Sequence, residues 1–104
     1  MENKYYSSSD KELIRKWGEK ISSLRIAAGL SQTELALKTG MSRSSIAGIE
    51  QGRNFSIASL LSISRSLEFL DEFEFFFKKE EYELTPMEIY EKEKKKKVRG
   101  GYKK

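Results

Sequence analysis

Gln32, Ser42, Arg43, Ser44, Ser45 and Arg53 bring two guanidinium forks, three hydroxyls and an amide into one short stretch of this 104-residue chain. A guanidinium holds its N–H donors in a fixed plane, matched to paired acceptors such as phosphate oxygens or the O6 and N7 edge of guanine. Hydroxyls and amides donate and accept, so they suit base edges and phosphates alike. Groups of this kind bind and discriminate; they do not break bonds. The chain has no cysteine and no histidine. Disulfides, thiolate nucleophiles, imidazole bases and the common zinc sites are therefore excluded. Neither a phosphate-cradling glycine loop nor a carboxylate pair stands in a usable setting. We read the chain as a binding protein, not an enzyme, with no cofactor and no metal. The bland alternative for each of the six residues is a polar side chain on a solvated helix.

Short helices must hold those side chains, and the sequence marks their ends. Ser31 and Glu34 have the spacing of a capping box, and Leu30 and Leu35 that of a hydrophobic staple. Gly40 follows Lys38 and Thr39, where a helix end favours a residue tolerant of positive φ. Ser42 is suited to cap the next helix. Residues 29–53 thus read as helices over about 32–39 and 43–50 joined by a tight turn. That is the outline of a helix-turn-helix, in which one helix props another into the major groove of DNA. Leu35, Ala36, Ile46 and Ile49 turn apolar faces toward each other. Arg43, Ser44, Ala47 and Gly48 point outward with no core to fill.

The same signals organise the rest. Residues 1–8 read as a disordered N-terminus. Ser9 and Glu12 open a helix running to about residue 28, with Ile14, Trp17, Ile21, Leu24 and Ala28 as one buried stripe. Gly18 lies inside it, at a cost of about 1 kcal/mol relative to alanine. Ser56 caps a helix to about residue 67, whose Ile57, Leu60, Leu61, Ile63 and Leu67 complete the core. Leu70, Asp71 and Glu74 suggest a third capping box and a short fifth helix to about residue 77. Thr85, Pro86 and Glu88 mark a last helix, proline being favoured at the first helical position. The expected fold is all-α, with a helix-turn-helix domain over 9–78 and a charged extension over 79–104.

Charge divides the chain into three surfaces. Residues 1–67 hold ten Lys/Arg against six Asp/Glu, residues 68–91 hold two against nine, and residues 92–104 hold eight against one. The basic front and tail suit a polyanion, since each phosphate neutralised releases condensed counterions. The acidic middle should face away from DNA. No apolar run approaches the roughly 20 residues that span a bilayer, and the N-terminus lacks the apolar core of a signal peptide. A cytoplasmic protein without a membrane partner is the expectation. Five of the six phenylalanines fall within residues 69–77. A helix cannot turn them all inward, and surplus exposed apolar surface signals association. Leu70, Phe73, Phe76 and Phe77 are the expected homodimer interface.

The run GLSQTELALKTGMSRSSIAGIEQGR, with the leucine-rich helix after it, resembles the lambda-repressor/Cro-like (XRE-like) helix-turn-helix family from about Trp17 to about Leu70. The resemblance implies a five-helix DNA-binding domain and a double-stranded DNA partner. It places Arg43 and Ser44 at positions that read bases, and Gln32, Ser42, Ser45 and Arg53 at positions that touch phosphates or brace the recognition helix. Gly48 falls where relatives carry a longer base-contacting side chain. Arg25 and Glu50 occupy the positions of a structural ion pair between the first helix and the recognition helix. The family commonly dimerises through its C-terminal helix. The function implied is a transcriptional regulator, a repressor on a palindromic operator. The alternatives are an antitoxin that also holds a toxin partner, through a looser likeness of residues 85–104 to regulators found with HipA-like kinases, and the controller protein of a restriction–modification operon.

Overall fold

The computed structural model describes residues 3–79 and 83–99, with side chains described as far as residue 95. It is all-helical over those residues: α1 (Asp10–Ala27), α2 (Gln32–Thr39), α3 (Arg43–Glu50), α4 (Ile57–Ser66), a 3₁₀ turn (Leu70–Phe73), α5 (Glu74–Phe77) and α6 (Pro86–Arg99). Two compact units result, Met1–Glu72 and Phe73–Lys104. The division falls ahead of the boundary expected near residue 78, so α5 groups with the C-terminal unit.

The first unit follows its capping signals closely. Ser9 and Ser31 accept from the backbone N–H groups of Glu12 and Glu34, and both glutamates reach back to the serine N–H, closing two capping boxes. Ser42 and Ser56 cap α3 and α4. Residues 3–8, expected to be disordered, carry local turns: the Tyr6 N–H donates to the Asn3 carbonyl at 3.1 Å and the Ser8 N–H to Tyr5 at 3.2 Å. The helix ends are cut sharply. Gly29, Gly40 and Gly52 have positive φ, and so does Glu68, at 63°. After α4 the Phe69 N–H donates to the Ser64 carbonyl at 2.8 Å and the Glu68 N–H to Arg65 at 3.3 Å. This is a Schellman closure with a non-glycine residue at the left-handed position, which costs an L-residue roughly 1–2 kcal/mol.

The core is Ile21, Leu35, Ala36, Ile46, Ile49 and Ile63, with Leu30, Met41, Phe55, Leu67 and Phe69 packed against it. The four residues expected to face each other across α2 and α3 are all in it. Two expected faces are only partly covered. On α1, Ile21 and Gly18 are buried, while Trp17 is 37% exposed and Ala28 is at the surface. Gly18 is the reason: a Cβ there would overlap the Ile49 carbonyl oxygen and sit 3.2 Å from the Glu50 Cα. The close approach of α1 to α3 therefore runs through Gly18, on the same face as Ile14 and Ile21. The glycine admits this packing and is no mere cost. On α4, Ile57 is 72% exposed, and Ser64 is buried with its hydroxyl donating to the Leu61 carbonyl at 2.9 Å. Ile57 is the first residue of α4, one position past its Ser56 cap, at the helix end away from Ile63.

The box expected at Leu70, Asp71 and Glu74 does not form. Asp71 lies in the 3₁₀ turn, and α5 begins after Phe73 with no side-chain cap. The box at α6 does form: the Thr85 N–H donates to Glu88 Oε1 at 2.8 Å, and the Glu88 N–H to Thr85 Oγ1 at 3.2 Å. The Thr85 backbone N–H, then its hydroxyl, holds the Glu88 carboxyl below the usual carboxylate range. Phe75, Phe76 and Phe77 are all more than half exposed, and the Phe75 and Phe76 rings meet edge to face at 5.3 Å. Of the basic tail, the side chains from Lys96 on and all of residues 100–104 lie outside the described residues. No described helix is long and apolar enough to cross a membrane.

Candidate nucleic-acid interface

Helix α3 is held by its inner side and its ends, leaving its outer face to solvent. Inside, Ile46 is fully buried and Ile49 nearly so. At the C-terminal end, Glu50 is clamped from two helices. Arg25 on α1 donates from Nε to Glu50 Oε2 at 2.6 Å and from Nη2 to Oε1 at 3.0 Å, while its Nη1 reaches the Leu30 carbonyl at 2.8 Å. Gln32 on α2 donates to Glu50 Oε1 at 3.0 Å. The pair is well covered, with the Arg25 side chain 12% and the Glu50 side chain 6% exposed. Burial pushes the Glu50 carboxyl up. Hydrogen bonds from Arg25, Gln32 and Ser22 and the Arg25 charge outweigh that, and together hold it below the usual range. Its hydrogen bond to Glu50 raises the Arg25 guanidinium in turn. The structural pair implied by the family resemblance is present, bidentate, with Gln32 as a third member.

At the N-terminal end, the Ser42 hydroxyl accepts from the Ser45 N–H at 3.0 Å and donates to Ser45 Oγ at 2.9 Å. Its proton and one of its two lone pairs are spent on the cap. Ser45 then keeps the hydroxyl proton that can point outward. Arg43 and Ser44 are exposed, and neither makes a side-chain hydrogen bond or ion pair with the described residues. The first turn of α3 thus presents a guanidinium and two hydroxyls, with the helix N-terminal dipole behind them. Among the described residues no cluster of acidic side chains could hold a metal ion.

Gln32 belongs to the Glu50 clamp through its amide nitrogen, in line with the bracing role the resemblance implies. One position differs from the sequence reading. Gly48, expected to be bare, is buried. The Arg53 side chain covers it, with Cδ 3.0 Å and Nη1 3.2 Å from where a Cβ on residue 48 would be. Helical periodicity places residue 48 outward but carries no information on a loop residue folding back. Phe55 is the residue that sequence reasoning missed: it packs on the core and meets Trp17 edge to face at 6.3 Å. An aromatic ring in an assumed loop was the available signal.

A helix-turn-helix family model matches residues 21–75. Among solved structures, the chain is similar to the restriction-modification controller protein C.AhdI from Aeromonas hydrophila. The identity is 37% over 57% of this chain and 91% of that one, with a TM-score of 0.54. It is also similar to the restriction-modification controller protein C.Esp1396I, at 35% identity over 67% of this chain and 90% of that one, with a TM-score of 0.55. No curated protein matches the chain.

Proposed function

The chain belongs to the XRE-like helix-turn-helix family of DNA-binding transcriptional regulators, and from that premise we propose that it occupies a palindromic operator as a homodimer. One observation supports this most: an eight-residue helix locked from behind by the Arg25–Glu50–Gln32 clamp, whose first turn leaves Arg43 and Ser44 exposed and without hydrogen-bond or ion-pair partners among the described residues. Arg43 and Ser44 read bases, and phosphate contacts at the start of α2 and at Ser45 set the register without specifying sequence. Leu70, Phe73, Phe76 and Phe77 form the subunit contact. The exposure of Phe76 at 78% and Phe77 at 63% supports that assignment, because apolar surface of this kind is normally covered.

The likeness to two restriction–modification controller proteins favours control of such an operon over the antitoxin reading. Selection of duplex DNA on the wild-type protein tests the proposal. Two related half-sites about 10 bp apart centre to centre are expected, with the selected sequence upstream of restriction–modification genes. A Phe73→Glu, Phe76→Glu double variant should sediment as a helical monomer. Wild-type protein that is monomeric at micromolar concentration and selects a lone half-site would refute the dimer.

A further inference from the structure

The outer face of α3 has an empty place at Gly48, and Arg53 fills it. Ser44 and Gly48 are four residues apart and share one helix face. The backbone dictates what happens there. Beyond α3 the Arg53 N–H donates to the Gly48 carbonyl and the Gly52 N–H to the Ile49 carbonyl, both at 3.0 Å, around Gly52 at φ +99°. This Schellman closure folds residue 53 back against residue 48. The Arg53 side chain then runs over the helix surface, its Nε 3.5 Å and its Cδ and Nη1 closer still to the place of the missing Cβ. A Cβ at residue 48 would press it outward by a few tenths of an ångström, and a longer side chain would compete for the same space. Arg53 itself remains exposed, and its guanidinium makes no hydrogen bond or ion pair with the described residues.

We infer that Arg53 is a base-reading residue, its guanidinium serving as the outward side chain that Gly48 lacks and pairing by its fork with a guanine in the major groove. A loop arginine standing beside the helix would meet phosphates. One lying across the helix face enters the groove with it. Residue 48 is about 7.5 Å along α3 from Arg43 at 1.5 Å per residue, so the two arginines read different base pairs. The absence of a side chain at residue 48 is thereby a specificity device, exchanging a residue on the helix for one from the turn after it.

This inference rests on the DNA-binding reading above. The test is sequence selection from randomised duplexes by the wild type, Arg53→Ala, Gly48→Ala and the double variant, with affinities for the selected site and for random DNA. Circular dichroism monitors the fold, which Gly48→Ala should strengthen because alanine favours the helix. Arg53→Ala should lose one guanine column in each half-site, its preference falling about 5- to 150-fold, while the Arg43 column persists. Gly48→Ala should relax the same column, and the double variant should be no worse than Arg53→Ala. Equal losses on selected and random DNA with an unchanged sequence preference would overturn the inference and make Arg53 a phosphate ligand. A wild type that selects no sequence would overturn the function reading instead.

Discussion

Removing Arg25 should unfold more of this protein than any single change on its DNA-facing side. Arg25→Ala leaves the Glu50 carboxylate, 6% exposed, without the partner that donates to it at 2.6 and 3.0 Å. It also removes the donor to the Leu30 carbonyl. Of the described residues, Gln32 and Ser22 remain to satisfy the charge. Breaking a buried pair from one side typically costs about 3–5 kcal/mol, against a total stability of about 5–15 kcal/mol for a domain. Urea unfolding followed by far-ultraviolet circular dichroism reads this as a fall in midpoint at constant slope. The sign of the pH dependence provides a second check. In the wild type the Glu50 carboxyl titrates below its unfolded value, so its contribution is present above the ordinary carboxylate range and is lost as the pH falls through the folded value. In Arg25→Ala, burial dominates and the carboxyl titrates above the ordinary value. Acidification then relieves the penalty, and the gap between variant and wild type should narrow from pH 7 toward pH 4. A cost under about 1 kcal/mol, typical of an exposed pair, or a gap that does not change with pH, would refute the reasoning.

Other perturbations follow from the same geometry. Arg43→Ala should cost about 1–3 kcal/mol of specific binding and relax one base column; unchanged affinity and sequence preference in a selection would contradict its role. Gly18→Ala should destabilise by about 1–3 kcal/mol or more, although alanine is the better helix former, because its Cβ meets backbone at Ile49 and Glu50; an unaltered urea midpoint would show that α1 can retreat freely. Glu68→Gly should raise stability by up to about 1 kcal/mol by relieving the left-handed strain at φ 63°, read in the same assay. Deleting residues 92–104 should flatten the salt dependence of DNA binding, since each phosphate contact contributes about 0.9 to the slope, and leave the melting temperature nearly unchanged. An unchanged slope with a lower melting temperature would show that the tail docks on protein.

The helices that carry the site were legible because their ends are local chemistry. Ser31 with Glu34, Gly40, and Ser42 placed α2 and α3 at the observed residues. Nothing beyond a few neighbours decides whether a hydroxyl meets an N–H three residues on. The Arg25–Glu50 pair was legible only through family resemblance, as it joins residues 25 apart. What periodicity could not supply was the close backbone contact at Gly18 and the coverage of Gly48. Both depend on where another backbone comes closest, and a glycine looks the same in a pattern whether it is exposed or in tight contact. Asp71 misled for the opposite reason: its spacing to Glu74 fits a box, but the chain there tightens into a 3₁₀ turn and the helix starts later.

The division of labour along α3 also bears on how this protein can change. Ile46, Ile49 and Glu50 serve the fold, whereas Arg43 and Ser44 are exposed and make no side-chain hydrogen bond or ion pair with the described residues. Substitutions at the outward pair therefore carry almost no folding penalty, and new operator preferences can be sampled by single steps without passing through unstable intermediates. Residues 48 and 53 are the exception. They lie against each other, so a side chain gained at 48 shifts the arginine at 53, by a few tenths of an ångström for alanine and further for a longer one.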